Sequence, residues 1–134
     1  MSIQNYADFI TLAKQEPNPQ RLLFVFARAV LPDDATAEEK AAFEKGEGGA
    51  LDPIICVDKT PDEAANFDSL ITEAETTGHP WDIAFVSAMS GRAGQALNSD
   101  ECVQPLNMMV EQIRLGKISQ FLAISREGEL IEVY

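Results

Sequence analysis

The clearest pattern along the chain is an apolar run without alternation. In "RLLFVFARAV" every position from Leu22 to Ala27 is apolar, which suits a strand covered on both faces rather than one with a wet side. This segment is expected at the centre of a sheet. "PIICVD" (53–58) and "WDIAFVSAM" (81–89) read as a second and a third strand. Cys56 lies between apolar neighbours in the former and is expected to be buried and inert, since buried cysteine behaves as a small hydrophobe.

The segments between follow a helical period. Tyr6, Phe9, Ile10 and Ala13 recur at helical spacing, with Ser2 and Asn5 as caps and Pro17 and Pro19 as the stop. "TAEEKAAFEKGEGG" opens with a Thr36-x-x-Glu39 capping box and ends in glycines, giving a helix of about three turns. "TPDE" repeats the start signal, with Thr60 as cap, Pro61 at the first helical position and Glu63 reaching back. The helix expected there carries Phe67, Leu70, Ile71 and Ala74 as its apolar stripe and stops at Gly78. Leu106, Met109, Val110 and Ile113 form another helix face, ended by Gly116; Pro105 marks its start, or a bend in a helix that begins one turn earlier. "ISQFLAIS" and "ELIEVY" read as strands joined across Arg126-Glu127-Gly128 in a tight hairpin. In the last of these, Ile131 and Val133 share one face and Glu132 takes the other, as in an edge strand that a second copy of the chain would cover.

The order α-β-α-β-α-β-α-β-β holds three strand-helix-strand connections. It predicts one domain over residues 1–134, α/β or α+β, with a mostly parallel sheet of about five strands, flanking helices and an antiparallel C-terminal hairpin. In such a sheet the C-terminal strand ends share one edge, where ligands usually bind. Arg28, Asp58, Lys59, Ser87, Ser90 and Arg92 would gather there. The candidate ligand-binding set is Asp58, Lys59, Ser90, Gly91 and Arg92, whose cations and "SGRAG" amides suit an anion. The competing expectation is that Lys59 and Arg92 pair with surface carboxylates and that "SGRAG" is only a turn, since it is neither GxGxxG nor GxxxxGK[ST].

Charge narrows the partners. With 22 Asp and Glu against 10 Lys and Arg the formal charge is −12, which opposes nucleic acid and anionic membrane. Cys56 and Cys102 lack CxxC spacing, and His79 is the single histidine, so no metal site, cofactor or catalytic triad is assigned. "MSIQNYADFITLAKQ" has neither the basic start of a secretory signal nor an apolar span, and a cytoplasmic location is expected.

Pro32-Asp33, Gly48-Gly49-Ala50-Leu51, Cys56-Val57-Asp58-Lys59, Trp81-Asp82 and Ser90-Gly91-Arg92 carry a resemblance over nearly the whole chain. They resemble a family of short, uncharacterised bacterial proteins often labelled "ribonucleotide reductase subunit alpha". The resemblance implies that the loops after the first three strands belong to a family pattern. It implies no reductase residues, because that chemistry needs a trio of cysteines and the chain has Cys56 and Cys102 alone.

The expected function is that of a soluble protein acting through protein contacts as a homodimer. The alternative is a binding protein or small enzyme for an anionic metabolite at the strand ends, with Arg92, Lys59 and the Ser90-Gly91 amides as its anchors and Asp58 or Cys56 as the reactive group.

Overall fold

The computed structural model describes residues 3–31, 33–45, 50–95 and 97–131. The apolar run lies in strand β1 (Gln20–Val30), and its residues Leu22 to Ala27 are each at most 2% exposed. Strands β2 (Ala50–Lys59), β3 (Ile83–Ser90), β4 (Leu122–Ser125) and β5 (Leu130–Ile131) complete a five-stranded sheet in the order β2-β1-β3-β4-β5. Every neighbouring pair is antiparallel. The fold is α+β, and the expected mostly parallel sheet is overturned.

The reason lies in the connections. Between β1 and β2, helix α2 (Ala37–Glu44) buries none of its residues, so it is not the sheet-packed helix of a parallel crossover unit. The chain instead makes a polar excursion and returns beside β1 in the opposite sense. Since β2 and β3 both oppose β1, they run in the same direction with β1 between them.

Alternation along β1 feeds two cores. Leu22, Phe24 and Phe26 meet Tyr6 and Ile10 of α1 (Tyr6–Gln15), Phe67, Leu70 and Ala74 of α3 (Phe67–Glu75), and Trp81. Leu23, Val25 and Ala27 meet Cys102, Leu106, Met109 and Ile113 of α4 (Ser99–Arg114). Each large apolar side chain so buried contributes roughly 1.5–3 kcal/mol.

Caps decide where the helices begin. Asn5 accepts from the Asp8 amide, and Thr36 and Glu39 form the full capping box. At Thr60 the box also forms, with Thr60 N donating to Glu63 Oε1 at 2.9 Å and Glu63 N donating to Thr60 Oγ1 at 3.2 Å. It closes a single turn rather than the expected helix; α3 starts at Phe67 under its own cap, Asn66. That turn is tied to α1, where the Tyr6 hydroxyl donates to the Ala64 carbonyl. Helix α4 begins at Ser99 under an Asn98–Glu101 capping box and carries Pro105 inside.

Strand β2 is an edge, and this corrects the expectation for Cys56. Its apolar neighbours suggested a strand covered on both sides, but Cys56 is exposed, whereas Cys102 is fully buried under the sheet. At the other edge Ile131 is 38% exposed; residues 132–134, on which the expected pairing of the last strand also rests, lie outside the described residues.

The orientation of the β2 backbone follows from the ladder. Gly91 N donates to the Pro19 carbonyl at 2.8 Å and Asp82 N to the Ala27 carbonyl at 2.9 Å. Odd-numbered β1 residues therefore direct their peptide groups to β3, and even-numbered ones to β2, because the sides alternate along a strand. Phe24 and Leu22 thus bond Val57 and Lys59, and the peptide groups of Leu51, Cys56 and Asp58 point away from the sheet. Pro53 lies opposite Ala27, beside a register shift, so its missing amide costs no ladder bond.

Native-state thiol labelling checks this arrangement. Cys56 should react readily, while Cys102, whose thiol is pushed up first by burial and then by the nearby Asp58 charge, should stay unlabelled until the protein unfolds. Mass spectrometry of peptides after a short pulse reads both sites.

Candidate functional site

The start of β1 and the ends of β2 and β3 share one end of the sheet, where Gln20 faces Ser90 and Leu22 faces Lys59. Asp58, Lys59, Ser90, Gly91 and Arg92 all lie at this end. Arg28 does not, because β1 runs the other way and sets it opposite Asp52. Arg21 takes its place.

The five residues share an end without converging on one ligand. Asp58 and Lys59 are consecutive on a strand, so they point to opposite faces. On the α3 face Lys59 Nζ pairs with Glu73 Oε1 at 2.9 Å. Ser90 Oγ accepts there from the Gln20 amide at 2.9 Å. On the α4 face Asp58 Oδ2 accepts from Arg21 Nε at 2.8 Å, from Arg21 Nη2 and from Ser99 Oγ at 2.9 Å.

"SGRAG" is a turn. Arg92 and Gln95 exchange both backbone hydrogen bonds at 2.9 Å, around Ala93 with φ 51° and Gly94 with φ 78°. Two left-handed residues are the mark of the primed hairpin turn. The Gly91 amide is held by the Pro19 carbonyl and the Gly94 amide by Asn18 Oδ1 at 3.3 Å. Of the amides that an anion would use, those of Gly91, Arg92, Gly94 and Gln95 already have internal acceptors. Arg92 is exposed and makes no ion pair among the described residues.

The Arg21–Asp58–Ser99 cluster is the feature that sequence reasoning missed. Arg21 and Asp58 side chains are each 17% exposed, and Ser99 is the first residue of α4, so one carboxylate oxygen joins β1, β2 and the helix start. Burial pushes the Asp58 carboxyl upward, but the Arg21 and Ser99 hydrogen bonds and the Arg21 charge outweigh it and hold the group below its ordinary range. The positive end of the α4 dipole acts in the same sense. All three side-chain donors converge on Oδ2, and the backbone of Asp58 itself also bonds the carboxylate.

Two depressions flank this end. A cleft of about 270 Å³, lined by Lys14, Pro17, Pro19, Gln20, Pro61 and Asp62, is spanned by a Lys14–Asp62 ion pair at 3.2 Å. A smaller hollow of about 60 Å³ lies between β2 and α3. Its walls are Phe26, Ile55, Val57, Leu70 and Ala74, with Glu73 and Thr77 at the rim. That volume is several times the roughly 10–15 Å³ needed by one water.

Among the described residues no three His, Cys, Asp or Glu side chains come together as a metal site, and no helix is long and apolar enough to cross a membrane. No protein-family model, curated protein or solved structure matches the chain.

Two variants test the local chemistry. Ala93→Gly should raise the melting temperature, because the left-handed conformation costs an L-residue roughly 1–2 kcal/mol, only part of which returns as glycine's extra unfolded-state entropy. Asp58→Asn should destabilise the protein at neutral pH by about 1–3 kcal/mol. The wild-type Asp58 contribution is fully present above the unfolded aspartate pKa of about 3.9 and is lost as pH falls through the lower folded value. Denaturant melts between neutral and acid pH should therefore show the two proteins converging in stability as the solution is acidified.

Proposed function

We propose that the protein is a non-enzymatic contact module of the cytoplasm, which takes up an extended segment of a protein partner along the outer edge of β2. The observation that carries this reading is a ten-residue edge strand whose Leu51, Cys56 and Asp58 peptide groups face outward with no strand partner among the described residues, the Asp58 backbone also bonding its own carboxylate, running beside an apolar hollow. Strand addition uses those two features together: main-chain hydrogen bonds supply affinity and a pocket for alternate side chains supplies selectivity. The anion-site alternative has less support, since its amides are engaged internally and Lys59 is paired. A second copy of the chain competes for the same edge, but a charge of −12 on each copy opposes that pairing.

A display library of random linear peptides, selected on the immobilised protein, tests the reading. Selected peptides should slow hydrogen exchange at the Cys56 and Asp58 amides, which face outward, and should lose binding to Cys56→Pro. That variant should still melt cooperatively, because its missing amide serves no ladder bond, whereas Val57→Pro should be strongly destabilised. Failure to select any peptide, undiminished binding to folded Cys56→Pro, or thermal stabilisation by phosphate or nucleotides that Arg92→Ala abolishes would each overturn it.

A further inference from the structure

The register of β2 against its neighbours specifies what the added segment carries. Val57 directs its peptide group to Phe24, so a strand added in the antiparallel sense of the rest of the sheet meets Val57 as a non-hydrogen-bonded pair. In such pairs the side chains approach most closely and share a face. For Val57 that face is the α3 side, where the hollow opens between Ile55, Val57, Leu70 and Ala74. The preceding residue of the added strand lies opposite Asp58, on the α4 side. There the Asp58 carboxylate takes its Arg21 and Ser99 bonds on Oδ2, and beyond the bond from its own backbone it keeps acceptor lone pairs on Oδ1, since each carboxylate oxygen accepts more than one bond.

Resting on the strand-addition reading, we propose that the segment recognised by β2 contains a basic residue immediately followed by an aliphatic one. The aliphatic side chain fills the hollow and the basic one meets Asp58. Charge supports a cationic partner rather than a second copy. The chain carries −12, α3 presents Asp68, Glu73 and Glu75 with no basic residue in its last turn, and Lys59 is tied to Glu73. The order of the two residues follows from the antiparallel sense: reversing it moves the basic residue opposite Cys56 and away from the carboxylate.

Synthetic extended peptides, measured by fluorescence anisotropy, provide the test. A Lys-Leu peptide in a Thr-rich background is compared with Lys-Ala, Gln-Leu, Glu-Leu and the reversed Leu-Lys. Lys-Leu should bind at least about tenfold more tightly than Lys-Ala, the factor expected for burying one aliphatic side chain. Gln-Leu and Leu-Lys should fall between, and Glu-Leu should be weaker still. Ala74→Leu fills the hollow and should erase the preference for Leu over Ala while leaving the weaker main-chain binding. Thr77→Leu, placed on the exposed rim, serves the same purpose if Ala74→Leu does not fold. Equal binding of Lys-Leu and Lys-Ala, lost in Cys56→Pro, would overturn this inference and leave strand addition standing. Indifference to the reversal, again with sensitivity to Cys56→Pro, would overturn the assigned order. Undiminished binding of all peptides to Cys56→Pro would overturn strand addition itself. A peptide-free dimer, seen by light scattering and absent in Cys56→Pro, would assign the edge to a second copy instead.

Discussion

A strand that is apolar on both faces must be covered on both faces and paired on both edges, and β1 imposes that requirement on the rest of the chain. Leu22 to Ala27 are almost without exposure. Helices α1 and α3 meet the even-numbered side chains, α4 meets the odd-numbered ones, and β2 and β3 take up the two sets of peptide groups. Once these partners are used, the next edge outward falls on β2. Its Pro53 and the adjacent register shift blunt one half of that edge, in the manner of strands protected from self-association, and leave the half around Cys56 and Asp58 open.

The Arg21–Asp58–Ser99 cluster translates this arrangement into a fixed position for α4. One carboxylate oxygen joins two strands and the first turn of the helix, while Cys102 packs one turn further along. The same contact that anchors the helix therefore orients the carboxylate at the open edge. The structural role of Asp58 is carried by Oδ2.

Most elements were legible from period and caps. The unbroken apolar run marked β1 as an interior strand, which lies second from the edge rather than at the centre, the Thr36 box gave α2, and the glycine-containing hairpin gave β4 and β5. Strand direction was not legible, because a connection that holds a helix can return parallel or antiparallel: α4 packs on the sheet and still joins the antiparallel strands β3 and β4. Helix α2 has no buried residue, and its sequence, Ala37 to Glu44, has only Phe43 as a large apolar side chain; that weakness was a readable signal. So was the Asn98-x-x-Glu101 box, which places the start of α4 before Pro105. At the site, the alternation of a strand already separates Asp58 from Lys59. The pairing of Arg21 with Asp58 was hidden, since it depends on the register between two strands distant in sequence.

The interior position of β1 also bears on how the chain assembles as it is made. This strand precedes both of its neighbours in the sequence: Leu22 meets Lys59 only after the excursion through α2, and meets Ala88 only after α3 has been added. During synthesis the β1–β2 hairpin is available first, with α1 already present for one face of β1 and one edge and the α4 face still uncovered. Pairings of such long separation are slow to form. The nascent chain therefore carries an open edge of β1 until β3 arrives and an open apolar face until α4 follows.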